Sequence, residues 1–204
     1  MKKLILKPPS YDDLLRILSA WRVWIGGAVL GAAVASALYL IVPPAYRAQA
    51  TVLVDQHVEQ VIPQEQTDLR KFNYLQRETD KLLVIAWNDQ TLSRVTAQTG
   101  LPVSKLRDGR LILNQPGDGG WHFLADAADP ASAARLASAW ASAFVDEVQS
   151  KPAGISTFLQ VNFAQQKDLP VMRTVSMGFY VFCGALLGIT LLALSLLFFD
   201  WKNA

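Results

Sequence analysis

Residues 23–46 read VWIGGAVLGAAVASALYLIVPPAY, and residues 174–199 read TVSMGFYVFCGALLGITLLALSLLFF. Neither stretch contains a charged side chain, and a charged residue bounds each stretch on both sides. An α-helix needs about 20 apolar residues to cross the hydrocarbon core of a bilayer, which is roughly 30 Å thick. The two stretches therefore predict membrane-spanning helices at residues 23–42 and 175–199 of this 204-residue chain.

The overall composition agrees with this prediction. Hydrophobic residues make up 51% of the chain and charged residues only 18%, whereas charged residues make up about 25% of an ordinary soluble domain. The composition argues against a wholly soluble, fibrous or disordered protein. Between the two spans, residues 43–174 form a segment of suitable length for one folded domain.

Basic residues are concentrated before the first span, at Lys2, Lys3, Lys7, Arg16 and Arg22. Residues 43–174 instead carry 13 basic and 14 acidic side chains, for a net charge of −1. Because cytoplasmic flanks of membrane helices attract lysine and arginine, we expect residues 1–22 and 200–204 to be cytoplasmic. The domain at residues 43–174 is then extracytoplasmic.

Two details at the first span leave alternatives. Ala48-Gln49-Ala50 resembles a signal-peptidase site, but the apolar run is longer than the roughly 7 to 15 residues of a signal peptide, so we favour a retained anchor. Residues 11–21 fit a short amphipathic helix along the inner membrane face, capped by Ser10, or a simple extension of the first span. Cys183, the only cysteine, lies in the second span, so no disulfide is expected in the domain.

Each predicted span contains two glycines one helical turn apart: Gly27 and Gly31 in the first, and Gly184 and Gly188 in the second. Small residues at this spacing let membrane helices approach closely. The pattern predicts close packing either between the two spans or between subunits. The absence of charged residues and histidine from both spans argues against transport by this chain alone.

The segment between the spans alternates strand and helix signals. The predicted elements are a strand at 46–55, a loop at 56–66, a helix at 68–87, a helix capped by Asn88 or Asp89 and ended by Gly100, a helical turn at 104–107, a hairpin of strands 110–114 and 121–127, a helix opened by Asp129-Pro130 and extending to Val148, and a strand at 157–165. This order predicts an α+β fold, specifically a ferredoxin-like βαββαβ domain between the two membrane helices.

Residue combinations typical of catalysis or metal binding are scarce. His57 and His122 are the only histidines, and neither has the spacing of a metal site. The glycine-rich stretch beginning at Gly117 lacks the lysine of a phosphate-binding loop and fits a hairpin turn. Asp126 and Asp129 are a conceivable pair of acids, but Asp129 is better explained as a helix cap. We therefore expect no enzyme activity, no cofactor and no metal.

A basic run, Arg70, Lys71, Arg77 and Lys81, lies along one predicted helix. We interpret it mainly as a solvated face balanced by Glu78 and Asp80. Contact with an anionic glycan, a lipid headgroup or a neighbouring subunit is the alternative. The net charge of −1 on residues 43–174 argues against nucleic-acid binding.

Several stretches together resemble a known family. They are residues 43–55, PPAYRAQATVLVD, directly after the first span; the helix leading to Gly100-Leu101; the strand 121–127 followed by Asp129-Pro130 and an alanine-rich helix; and Pro170 before the second span. This layout resembles the polysaccharide co-polymerases, also called Wzz or chain-length determinant proteins. The membrane-proximal family motif falls on Pro43, Pro44, Tyr46, Arg47 and Pro170.

The resemblance implies a noncatalytic inner-membrane protein that assembles into a ring-like homo-oligomer. Such a protein regulates the length of a cell-surface polysaccharide made by a membrane glycan polymerase, or assists its export. The long helical hairpin of large family members is missing here, so the resemblance is to a short form. Two alternatives are an adaptor for a separate cytoplasmic tyrosine kinase and a two-span sensor or accessory subunit with an extracytoplasmic binding domain.

Overall fold

The computed structural model describes residues 21–62, 68–115, 120–150, 159–164 and 168–200. The chain divides into two compact units. One comprises residues Met1–Pro44 and Val175–Ala204, and the other is Ala45–Thr174. The amphipathic helix predicted at residues 11–21 lies outside the described residues except for its last residue.

The first unit contains two helices that pack against each other, α1 (Trp21–Ile41) and α7 (Met177–Asp200). Both are long and apolar enough to cross a membrane. Large apolar side chains such as Leu30, Val29 and Leu187 are exposed along their surfaces. The predicted spans, 23–42 and 175–199, overlap these helices to within two residues at each end.

The second unit is an α+β domain with one antiparallel sheet. Its strands are β1 (Tyr46–Asp55), β2 (Leu111–Asn114), β3 (Gly120–Ala127), β4 (Gln160–Phe163) and β5 (Val171–Arg173). The order is β2-β3-β1-β4, and β5 also pairs with β1. The long strand β1 is therefore central: β3 runs along one edge from Tyr46↔Ala127 to Leu53↔Gly120, and β4 and β5 share the other.

Five helices complete this domain: α2 (Val58–Val61), α3 (Asp68–Trp87), α4 (Asp89–Thr99), α5 (Val103–Arg107) and α6 (Pro130–Gln149). Helix α6 packs against β1 and β3, and both α3 and α4 pack against α6. The helix predictions at 68–87, 88–100 and 129–148 are confirmed. The predicted loop at 56–66 is wrong at residues 58–61, which form α2, and its residues 63–66 lie outside the described residues.

Local capping explains where two of these helices begin. The Asn88 side chain accepts a hydrogen bond from the Thr91 amide at 2.6 Å, which decides between the two predicted caps of α4. The Asp129 carboxylate accepts from the Ser132 amide at 2.8 Å at the start of α6. Hydrogen bonds from Ser132 lower the pKa of Asp129. Asp129 is therefore a structural cap rather than one of a pair of acids.

The core lies between α6 and the alternate residues of β1 and β3 that face it. Trp140 of α6 is fully buried, with its ring 4.8 Å from that of Trp87 and 4.9 Å from that of Phe123. Its indole N–H donates to the carbonyl of Ala86 at 2.9 Å. The buried ring thus links sheet, α6 and the end of α3.

The ferredoxin-like prediction is not confirmed, because the strand arrangement differs from the predicted four-stranded sheet. Where one last strand was expected at 157–165, two short strands pair with successive parts of β1: β4 with Val52–Asp55, and β5 with Tyr46–Ala48. Asp168 and Pro170, which both precede β5, explain why the strand is interrupted. Asp168 has a left-handed φ of 53°, and Pro170 has no amide hydrogen to donate to a ladder.

Candidate functional site

The predicted glycines lie together on the facing sides of α1 and α7. A Cβ atom added at Gly27 would lie 2.9 Å from the carbonyl oxygen of Gly188, and one added at Gly184 would lie 2.5 Å from that of Gly31. A Cβ atom at Gly31 or Gly188 would overlap the opposite backbone. The two backbones therefore approach at distances that only glycine permits.

This close contact is specific to one side of each helix. Gly26 and Gly178 have nothing within 4 Å of the position that a Cβ atom would occupy. Gly27, by contrast, is buried although it is the next residue after Gly26. Further along the pair, the rings of Tyr39 and Tyr180 meet edge to face with centroids 5.2 Å apart. The glycine and tyrosine contacts together align α1 and α7 as an antiparallel pair.

A second arrangement joins the two ends of the sheet domain. Tyr46, the first residue of β1, pairs with Arg173, the last residue of β5. The amide and hydroxyl of Thr174 both donate to the carbonyl of Ala45, at 2.9 and 3.1 Å. The Arg173 guanidinium lies over the Tyr46 ring, 5.1 Å from its centroid, and donates to its hydroxyl at 3.1 Å. We call these four residues the end clamp.

Arg47 lies beside the end clamp and makes a two-pronged ion pair with Asp126 of β3. Its Nε donates to Oδ1 and its Nη2 to Oδ2, both at 2.7 Å. The pair raises the pKa of Arg47, chiefly through the hydrogen bonds with Asp126. Because Arg47 and Asp126 are cross-strand neighbours, the pair fixes β1 to β3 at the same end of the sheet as the clamp.

The remaining residues of the predicted family motif are the prolines Pro43, Pro44 and Pro170. Pro43 and Pro44 follow the end of α1, where a proline ring prevents the helix from continuing. The carbonyl of Pro170 accepts a hydrogen bond from the Gln49 amide at 3.1 Å. The structure thus brings Tyr46 and Arg47 together at one end of β1 and places Pro170 along the same strand.

The side chains considered above for catalysis or metal binding contact other side chains of the sheet domain. Asp126 is held by Arg47, and the Nδ1 atom of His122 lies 3.0 Å from the Thr51 hydroxyl across the sheet. His57, with a left-handed φ of 43°, lies 3.3 Å from the Asp55 carboxylate. Among the described residues, no group of three or more histidine, cysteine or acidic side chains is arranged to hold a metal ion.

The burial of two carboxylates was not predicted from the sequence, in which Glu78 was expected to balance the basic run on a solvated face. Glu78 of α3 contacts Lys81 at 2.7 Å, and Glu147 of α6 contacts Arg94 of α4 at 2.9 Å; each carboxylate side chain is only 6% exposed. Lys81 is one turn away along the same helix, a spacing visible in the sequence. Arg94 lies far from Glu147 in the chain, so no local signal reveals that ion pair.

The Arg47–Asp126 pair gives a direct test of the joined end of the sheet. In a double-mutant cycle with Arg47→Met and Asp126→Asn, we expect a coupling of about 1 kcal/mol in the free energy of unfolding, since the pair is two-pronged and half-buried. The measurement is denaturant unfolding of the full chain in detergent, followed by near-UV circular dichroism.

The matched control is the pair between Arg107 and Asp89. It has the same 2.7 Å distance, but its side chains are 53% and 87% exposed. We expect its coupling energy to be close to zero because water screens it. Equal coupling energies for the two pairs would contradict a stabilising role for Arg47 at the end of the sheet.

No family model matches this chain. No curated protein matches it either.

Proposed function

We propose that this chain is a noncatalytic membrane scaffold that regulates polymerisation, chain length or export of a cell-surface polysaccharide through homo-oligomeric assembly. In this proposal α1 and α7 cross the inner membrane, both termini are cytoplasmic, and residues 43–174 are periplasmic or extracellular. The partners are further copies of the chain and a glycan polymerase. We also propose that the α+β domain is a ferredoxin-like domain whose last strand is divided into β4 and β5.

The observation that supports a scaffold best is the glycine contact between α1 and α7. A rigid pair of helices presents one fixed surface to lipid and to neighbouring proteins, whereas two independent helices do not. The joined ends of the sheet domain add a second constraint, because Tyr46 and Arg173 are cross-strand partners. The link to polysaccharide comes from the family resemblance of residues 43–55, 121–130 and 170.

The test combines a cellular and a biochemical measurement. Deleting the gene should shift the length distribution of a surface polysaccharide, visible on a gel of extracted glycans, and the intact gene should restore it. The protein extracted in native-membrane nanodiscs should have the mass of a homo-oligomer. An unchanged glycan distribution together with a monomeric protein would contradict the proposal and favour the sensor alternative.

Orientation has its own measurement. Protease added to the outside of spheroplasts should cleave within residues 43–174, while tags fused to the two termini stay protected until the membrane is opened. Cleavage of the tags by external protease would reverse the proposed topology.

A further inference from the structure

The sheet of the α+β domain has a free edge on each side. β2 is the last strand on one side, and β5 pairs with the side of β1 that faces away from β3. Among the described residues, no strand pairs with the outer side of β2 or of β5. The outer backbone groups of such strands are a template for hydrogen bonding to a further strand.

The hydrogen bonds of β2 show which of its residues point outward. The Asp126 amide donates to the Arg110 carbonyl at 2.8 Å. In an antiparallel ladder, residues that bond to the partner strand alternate with residues whose backbone groups point away from it. The amides and carbonyls of Leu111 and Leu113 therefore point out of the sheet. β2 itself reads Leu-Ile-Leu-Asn, so it has neither the charge nor the proline that commonly protects an edge.

The same alternation applies to β5. The Pro170 carbonyl accepts from the Gln49 amide at 3.1 Å, and the Thr174 amide donates to the Ala45 carbonyl at 2.9 Å. Both of these β5-side residues therefore bond towards β1. Val171 alternates with them, so its amide and carbonyl point out of the sheet. The missing amide hydrogen of Pro170 does not affect this outer side.

The two free edges match in direction and in level. β1 is antiparallel to both β3 and β5, and β2 is antiparallel to β3, so β2 runs opposite to β5. Leu111 pairs with Ala125, Ala125 pairs with Ala48, and Ala48 pairs with Val171. One row of the sheet thus ends at both free edges. Two copies side by side in the same orientation bring these two row ends together, with antiparallel strands at one level.

We propose that β2 of one copy pairs with β5 of the next copy, antiparallel and with Leu111 opposite Val171. We call this contact the sheet joint. The inference rests on the proposed function, in which all copies are anchored in one membrane in one orientation. The joint uses two different edges, so it repeats from copy to copy around a ring instead of ending at a dimer.

The side chains beside the two edges suit this pairing. Leu111 belongs to the hydrophobic core, and Leu113 and Val171 pack against it, so the joint extends the apolar layer from one copy into the next. On the other face, each edge has one exposed apolar side chain, Ile112 at 36% and Met172 at 63%. In the proposed register these two lie diagonally across the joint.

The charges near the joint are compatible with the same register. With Leu111 opposite Val171, Arg110 lies opposite Met172 and Asn114 lies opposite Asp168. No two like charges are directly opposite each other, which is the arrangement that destabilises a strand pair.

Segments of the same chain outside the described residues are too short to pair with Leu111. Residues 116–119 connect the ends of β2 and β3, and such a loop reaches back at most about 9 Å, whereas Leu111 lies about 13 Å before Gln115 along the strand. Residues 151–158 lead to β4 on the opposite side of β1, and residues 63–67 follow α2 beyond the far end of β1. A strand from another chain is needed here.

The outer side of β5 is also beyond the reach of the segment next to it. Residues 165–167 connect Ala164 to Asp168. Three residues held at both ends extend at most about 7 Å sideways, whereas Val171 lies about 10 Å beyond Asp168 along the chain. The Val171 backbone is therefore available to a second copy.

Cysteine cross-linking in native membranes tests the sheet joint. In a Cys183→Ala background, I112C/M172C should give a ladder of dimers, trimers and larger products with a short bismaleimide, because each copy then has both sides of the contact. Ile112→Cys or Met172→Cys alone should give no product. The matched control is I112C/L53C, since Leu53 is 49% exposed but belongs to the central strand. A product from either single variant, or an equal ladder from the control, would overturn the proposal.

A charge exchange tests the same contact without a cross-linker. The variant I112K/M172K places like charges across the joint and should raise the apparent Kd between copies in nanodiscs about tenfold. The variant I112K/M172E places opposite charges there and should return the Kd to within about threefold of the wild-type value. Leu53→Lys is the matched control and should leave the Kd unchanged. Near-UV circular dichroism checks that all three variants are folded.

The outcomes separate this inference from the proposed function. If the wild type is oligomeric and I112K/M172K has an unchanged Kd, or if folded I112K/M172E does not restore it, the sheet joint is wrong but the proposed function stands. A monomeric wild type contradicts both.

Discussion

Replacing Trp140 with alanine is expected to lower the free energy of unfolding of the sheet domain by about 3–5 kcal/mol. The ring is fully buried between Trp87 and Phe123, so its loss leaves a cavity where three aromatic rings meet. The Ala86 carbonyl also loses its hydrogen bond from the indole. Denaturant unfolding of the full chain in detergent, followed by near-UV circular dichroism, measures the change.

Two further variants help to separate the loss of packing from the loss of the indole hydrogen bond. Trp140→Phe keeps much of the packing but leaves the Ala86 carbonyl without the indole donor, so we expect a smaller loss of about 1–3 kcal/mol. Trp21→Ala removes a residue that is 57% exposed at the start of α1, and it should leave unfolding of the sheet domain unchanged. A loss below about 1 kcal/mol for Trp140→Ala would show that this ring is not central to the core.

The second large effect is expected from Gly31→Leu in the apolar helix pair α1 and α7. A Cβ atom at Gly31 overlaps the backbone of Gly184, so the larger side chain forces α1 and α7 apart. We expect the helix axes to move to the roughly 8–10 Å separation of contacts filled by side chains, with a loss of about 1–3 kcal/mol in packing. Spin labels on the exposed positions Val29 and Leu187, in a Cys183→Ala background, report the separation in liposomes.

The matched control is Gly26→Leu. It makes the same chemical change on the same helix, but nothing lies within 4 Å of the Cβ position at Gly26. The label distance should therefore match that of the parent protein. If Gly31→Leu leaves both the mean and the width of the distance distribution unchanged, the close backbone contact between the two helices is wrong.

Elements with strong local signals were predictable from the sequence. The strand at 46–55 and the helix at 68–87 have the predicted bounds, because a β-rich alternating run and a helical period are each contained within a few residues of sequence. The Asp129-Pro130 start of α6 was predictable for the same reason. Local chemistry fixes where such elements begin and end.

Contacts between distant residues were not predictable in the same way. Arg47 was identified through a resemblance, but its partner Asp126 lies 79 residues away, and the sequence suggested a different role for Asp126. The glycine spacing indicated a close helix contact, yet the same spacing suits a contact within one chain or between two. Choosing between them requires the path of the chain in space.

The hydrogen bonds between Ala45 and Thr174 hold the first and last residues of the sheet domain next to each other. A domain whose first and last residues are neighbours tolerates insertion into a loop of another protein. It also tolerates circular permutation, in which the old termini are joined and new ones are opened at an exposed turn. We therefore expect residues 45–174 to form the same sheet with a different pair of flanking helices, or with none.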